Sequence, residues 1–348
     1  MRTPRRSASM LSAALLYAAG TWSISAAWAQ EVTVTSFGGS YQEGQSKALF
    51  QPAAKAMGIK VKEETYTGIG DLRLKMKAGA NTWDVVASGS GSAARAGAEG
   101  LLEKLDYKVI DASNFLPGMA GEYCVGGDVF STVLAWNTKT YGDKGPQNWA
   151  DFWDVKKFPG KRTLYKWMNG MLEAALLADG VPADQLYPLD VPRAMKKIDE
   201  IKPHVLSFWS SGAESQQLMV DGEVSVGAIW HTRAKLLSED TDNRVRWSFD
   251  NGFINSSSWA VLAGNPAGTQ PAMQFIQHAL QPEGQLKLFE LLGNGPSNSA
   301  TEKLMTARQL DANCSSEANL KKQIALNAQW YADNYSKALE EYLTRLSK

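Results

Sequence analysis

The chain has 348 residues, 36 basic and 36 acidic side chains, and 44% hydrophobic residues. That balance leaves no electrostatic footprint for nucleic acid or an anionic membrane surface, and the length suggests two domains. Two cysteines and three scattered histidines (His204, His231, His278) give no ligand spacing for zinc, so no metal or cofactor is expected.

Residues 1–29 begin with Arg2, Arg5 and Arg6, continue through an apolar stretch and end in Ala27-Trp28-Ala29. This is the layout of a cleavable signal peptide. The apolar stretch is too short to span a bilayer, no cysteine follows it to carry a lipid, and no later run is long enough to span. Removing it takes away three arginines and no acid, leaving 33 bases against 36 acids. The remainder is expected to be exported and soluble. In an oxidising compartment Cys124 and Cys314 either pair or stay as two buried free thiols, and the sequence leaves both readings open.

From residue 32 onward, short β-rich runs alternate with helical patterns. VTVTSF (32–37) reads as a strand that ends at Gly38-Gly39, and 41–57 places Leu49, Phe50, Ala53, Ala54 and Met57 on one helical face. IKVKEETY (59–66) alternates as a half-exposed strand. Ile69, Leu72 and Met76 recur at helical spacing, WDVVAS (83–88) is an apolar strand, and SAARAGAEGLL follows as a small-residue helix. This order implies βαβ units and a largely parallel sheet.

Residues 122–136 read as extended, and then the alternation restarts. Helices are expected at 149–154, 170–179, 193–201 and over ESQQLMVDG; strands at 161–166, 205–209, 224–230, VRWSF and SSWAVLA. Two long helical patterns close the chain, 271–292 and about 317–346. Several strands end in Gly, Ser or Trp: Phe37-Gly38, Ser88-Gly89, Lys166-Trp167 and Trp230-His231-Thr232-Arg233. Flat aromatic walls with accessible backbone N–H groups suit a small-molecule pocket, and ligands of open α/β sheets sit beyond the carboxyl ends of strands. Arg233 stands out because a guanidinium is rarely buried without a partner.

Taken in order, TSFGGSYQEGQ, TWDVVASGSGSAARAGAEGLLEKLD, STVLAWNT, NWADFWDVKKFPGKRTL, LLADGV, QLMVDGEVSVGAIW and GNGPSN resemble the periplasmic solute-binding proteins of ABC importers. The branch is that of the putrescine- and spermidine-binding proteins and their relatives for small amino acids. The resemblance implies an α/β, two-lobed periplasmic binding protein fold of type II character. Its ligand cleft lies between lobes joined by hinge crossings. One lobe would hold 31–135 with about 260–305, the other about 138–257 with about 306–348.

The resemblance also implies a ligand set of Phe37, Gly38, Ser88, Trp167, Trp230, Arg233, Ser257 and Asn294. Polyamine binders carry acids where this chain has Arg233 and Ser257, with two more near Trp167 and Gly170, and an aromatic at Asn294. The scaffold therefore matches while the cationic recognition set does not. Arg233 in W-H-T-R resembles the W-N-G-R of amino-acid binders and would hold a ligand carboxylate, its planar fork suiting bidentate contact. A structural salt bridge and an exposed cation are its alternatives. His231 could orient a ligand oxygen or simply be packed.

The expected function is a monomeric, periplasmic, non-enzymatic carrier. It would capture a small carboxylate or zwitterion and deliver it to an ABC permease, with no nucleic-acid partner. Polyamine binding proper is the alternative. A periplasmic hydrolase or a ferric-ion binder is a weaker alternative, since the chain shows no G-x-S-x-G elbow and no tyrosine pair at an expected cleft strand end, and docking to a chemoreceptor stays open.

Overall fold

The computed structural model describes residues 31–347. The expected signal peptide lies outside the described residues. Ten strands form one continuous mixed sheet: β1 Glu31–Ser36, β2 Lys60–Thr65, β3 Val85–Gly89, β4 Val125–Asn137, β5 Arg162–Tyr165, β6 Val205–Trp209, β7 Val226–Trp230, β8 Val245–Val261, β9 Gly295–Pro296 and β10 Ile324–Ala325. The order is β2-β1-β3-β8-β4-β7-β5-β6, with β9 beside β4 and β10 beside β8. The outer groups β2-β1-β3 and β7-β5-β6 are parallel, as the βαβ pattern requires. The centre differs from the largely parallel expectation: β4 runs antiparallel to its neighbours β8 and β7, and β8 runs antiparallel to β3.

These two long strands create the two-lobed shape, because each belongs to both halves of the sheet. β4 pairs with β9 at Asp128 and Val129 and with β7 from Thr132 onward. VRWSF and SSWAVLA, expected as separate strands, are the two ends of β8. Between Thr132↔Phe253 and Leu134↔Ser248 the register slips, leaving extra β8 residues unpaired. Asn251 takes φ 60° in that bulge, its carbonyl accepting from Trp149 Nε1 at 2.9 Å and its N–H donating to the Lys322 carbonyl.

Each half has its own core. Val32, Val34, Leu49, Phe50, Val85 and Phe275 fill one; Trp149, Phe152, Leu172, Leu176, Ile198 and Phe253 fill the other. The helical pattern at 271–292 splits into Thr269–Ala279 and Pro282–Leu292, since Pro282 has no N–H to continue the ladder and its ring disfavours a helical residue before it. The pattern at about 317–346 also breaks. Glu317–Leu320 is one turn, β10 joins β8, and Asn327 caps the last helix, Ala328–Ser347, by accepting from Trp330 N–H at 2.9 Å.

The open question of the cysteines resolves against a disulfide. Both are buried free thiols in different clusters, Cys124 with Tyr66, Leu72 and Trp83, and Cys314 with Val129, Trp209 and Ile229. Burial pushes Cys124 up to about 11 and Cys314 up to about 12, so neither is a ready nucleophile.

Gly170 precedes the helix Met171–Ala178 at φ 80°, and a Cβ there would meet Phe253 Cδ2 at 2.9 Å. Gly39 also has positive φ but faces open space. Gly170→Ala is therefore expected to cost the roughly 1–2 kcal/mol of a left-handed alanine plus overpacking, and Gly39→Ala only the first. Urea unfolding of the two variants measures the gap; equal losses would contradict the packing argument.

Candidate functional site

A cleft of about 1040 Å³ lies between the lobes. One wall comes from the ends of β1, β2 and β3 and the segments that follow them: Phe37, Thr67 to Gly70 and Ser88 to Ser92. The floor is Phe130 and Thr132 of β4 with Ile254, Asn255 and Ser256 of β8. The facing wall carries Tyr165, Trp167, Asn169 and Trp230, and the C-terminal region adds Gln323, Tyr331, Tyr335 and Leu339. None of the residues lining it is Asp, Glu, Lys or Arg.

The walls are built from braced aromatics. Trp230 ends β7, and its ring meets Phe130, Tyr165 and the fully buried Trp209 edge-on, at centroid distances of 5.9, 5.7 and 5.1 Å. On the opposite side Phe37 is 46% exposed and stacks on Tyr66 at 5.5 Å and 17°. The Tyr66 hydroxyl donates to the Ala87 carbonyl, which fixes that ring in turn. An apolar slot between fixed rings needs little reordering on binding, and that favours affinity. Neutral hydrogen-bonding groups fill the gaps, with Ser90 hydroxyl contacting Ser256 and Ser258 at 3.1 and 2.7 Å.

Of the ligand set expected from the sequence, Phe37, Ser88, Trp167 and Trp230 line this cleft. The other four do not reach its wall. Gly38 turns the chain at φ 75° and donates its N–H to Gln42 Oε1. Ser257 and Asn294 point instead at a buried carboxylate, Asp128: Ser257 Oγ donates to Asp128 Oδ2, Tyr41 hydroxyl donates to the same oxygen at 2.6 Å, and Asn294 Nδ2 donates to Oδ1 at 2.7 Å. Burial holds the Asp128 carboxyl above its usual range, the three donors acting against it. Sequence reasoning missed this residue. It is the only acid between Cys124 and Trp136, and its side chain shares a strand face with Phe130 and Thr132.

The segment after Trp230 is helical, His231–Asp240, with Trp230 at its N-cap. Arg233 thus stands in a first turn rather than at a strand end. It is partly buried and has no ion pair or hydrogen bond among the described residues. It packs against Gly212, the first residue of the neighbouring helix Gly212–Val220, where a Cβ would lie 2.6 Å from its Nε. Its own helix start and that of Gly212 both present positive dipole ends, an unfavourable place for a lone cation.

His231 is packed, not offered to ligand. Its Nδ1 accepts the Ser131 N–H at 3.0 Å, and Nε2 lies 3.0 Å from the Gly293 carbonyl, so Nε2 carries the proton. Among the described residues no group of three or more His, Cys, Asp or Glu is placed to hold a metal ion, and no helix is long and apolar enough to cross a membrane.

Residues 48–309 match the family model of the bacterial extracellular solute-binding proteins. The chain is 34% identical over 316 residues to a gamma-aminobutyric acid-binding protein of Pseudomonas aeruginosa, covering 88% of each. It is similar in structure to an ABC transporter substrate-binding protein from Bradyrhizobium japonicum (TM-score 0.85, 36% identity, 90% of this chain and 99% of that one). It is similar also to the binding protein MotA of A. tumefaciens B6 in complex with glucopine (TM-score 0.82, 35% identity, 91% and 99%).

Burial pushes the His231 imidazole down to about 4. An unfolded histidine takes its proton near 6.5, so the native state binds fewer protons and loses stability as pH falls from about 6.5 toward 4, a loss on the order of 3 kcal/mol. Unfolding midpoints from pH 7 to 4 are expected to drop more steeply for the natural chain than for His231→Gln. Parallel slopes would show that His231 is not held neutral.

Proposed function

The chain belongs to the bacterial extracellular solute-binding proteins, and from that premise we propose that it closes its two lobes on a small carboxylate or amino-acid-like zwitterion. Its role is that of the substrate-binding component of an ABC transporter. It is exported through the signal at 1–29, acts as a monomer in the periplasm, and hands its solute unchanged to a permease in the inner membrane.

The observation that carries this reading is the charge pattern of the cleft. A diamine has two cations to bury, and an unpaired buried charge is very costly, yet no carboxylate lines the wall. An unpaired charge of the opposite sign stands in the turn behind Trp230. Arg233 sits in the first turn that Trp230 caps, partly buried and without a partner among the described residues. A ligand carboxylate is the group that relieves it, and Phe37 and Trp230 would flank the ligand's carbon chain. One similar protein is a gamma-aminobutyric acid-binding protein by name, and a γ-amino acid carries such a carboxylate.

Calorimetry with γ-aminobutyrate, butyrate and putrescine tests the reading. A carboxylate-bearing member of the panel is expected to bind at least tenfold more tightly than putrescine. Losing one partner of a buried charged pair costs roughly 2–5 kcal/mol, so Arg233→Ala should weaken that ligand by about 30-fold or more. Arg233→Lys should recover only part, having lost the planar fork. Tight putrescine binding, or unchanged affinity in Arg233→Ala, would overturn it.

A further inference from the structure

The polar side chains around the cleft differ in what they still have to offer a solute. On the wall built from the ends of β2 and β3, hydroxyl donors are already spent inside the protein. Thr67 Oγ1 donates to Asp71 Oδ2 at 2.7 Å, and Ser88 Oγ donates to the Gly89 carbonyl at 3.2 Å. A hydroxyl has one hydrogen and two lone pairs, so both groups face the cleft as acceptors. The floor continues the pattern at Asn255. Its Nδ2 donates to the Phe253 carbonyl at 3.1 Å. A carbonyl can accept only from the NH2 end of the amide, so this bond fixes which way the side chain faces. Oδ1 is turned away from Phe253 and has no partner among the described residues, in a side chain that lines the cleft.

The facing wall has the opposite character. The indole N–H groups of Trp167 and Trp230 have no hydrogen-bond partner among the described residues, and both residues line the cleft. An indole nitrogen donates and never accepts. Arg233, in the turn behind Trp230, carries donors only. Asn169, also on this wall and also unpartnered, offers both kinds of group and does not discriminate. The cleft is therefore polarised although no charged side chain lines it. Phe130 stands between its two sides. It is paired with Asn255 in the register of β4 and β8, and its ring meets that of Trp230 at 5.9 Å. Directly paired residues hold their side chains close together, and an aromatic face next to the Asn255 acceptor also tolerates a cation.

We propose that this polarity orients the solute, its amine toward the floor and the wall of Thr67 and Ser88 and its carboxylate toward Trp230, and that Asn255 is the residue that selects for the amine. An ammonium has three N–H donors and no acceptor, which matches a surface of acceptors. A plain fatty acid brings no donor to that end and leaves Oδ1 of Asn255 covered and unpaired, which costs the desolvation of that oxygen. The solute class narrows from small carboxylates to those with an N–H donor at the far end. This deepens the function proposed above and rests on it for the carboxylate, while the amine end is tested by itself.

Calorimetry on the full chain with γ-aminobutyrate, butyrate and n-butylammonium tests the assignment. Asn255→Ala is expected to weaken the two amines by about tenfold or more, the loss of a hydrogen bond to a charged group, and to leave butyrate unchanged. Butyrate thereby also reports that the variant is folded. Asn255→Asp keeps an acceptor and adds a counter-charge, so it should bind both amines at least as tightly as the natural chain; a loss as large as that of Asn255→Ala counts against the proposal. Equal losses for butyrate and γ-aminobutyrate in Asn255→Ala would show a packing role, and unchanged amine affinity would place the amine elsewhere. Either result overturns the assignment, as does failure of both amines to bind the natural chain. If Arg233→Ala leaves γ-aminobutyrate unaffected while Asn255→Ala weakens it, the carboxylate reading falls and the amine assignment stands. If Arg233→Ala weakens it while Asn255→Ala does not, the amine assignment falls alone.

Discussion

Asp128 lies where the two crossing strands and β9 share hydrogen bonds, paired in register with Ser257 and Pro296. Its carboxylate accepts from Tyr41, Ser257 and Asn294, which reach it from three separate segments. No cation contributes. Removing a carboxylate from water is costly, and here only neutral donors offset the cost. The arrangement holds only if all three donors stay in place, and their fixed positions in turn fix the first helix, β8 and the turn before β9 against β4. The cleft floor begins two residues further along, at Phe130. The aromatic slot thus inherits its geometry from a polar cluster that lies outside its wall.

Most of the strands were legible because their periodicities are local. IKVKEETY alternates in sequence, and β2 alternates in burial over much of its length. β1 and β3 read as apolar runs and are buried on both faces. The direction of β4 and β8 was not legible, since antiparallel pairing across 120 residues leaves no mark within either strand. The turn of Ser257 and Asn294 toward Asp128 was hidden for a related reason. Alignment with polyamine binders places them at ligand positions, and in this chain the polar demand they meet comes from Asp128. The residue that could have announced this was Asp128 itself, one acid in an otherwise uncharged extended run.

The last helix shows the same limit at longer range. Its periodicity was visible, but its interruption at β10 and its place as a third wall of the cleft were not. Tyr331 is fixed by Glu173, 158 residues away in sequence. A buried carboxylate and a tyrosine so far apart look like an ordinary helix-start acid and an ordinary core aromatic. His231 was ambiguous for want of its partners too. Ser131 and Gly293, which fix its tautomer, lie on two other segments.

The buried charges share one rule. Arg162, fully buried, donates to the carbonyls of Phe152, Phe158 and Gly160, and Asp128 and Glu173 accept from hydroxyls and an amide. Ion pairs such as Arg73–Glu99 and Arg193–Asp179 lie on the surface, where each is worth little. Arg233 departs from this rule, being partly buried with neither a carbonyl nor a carboxylate beside it. On the proposed reading, that guanidinium, standing in the turn that Trp230 caps behind a wall without Asp, Glu, Lys or Arg, is what selects the sign of the solute.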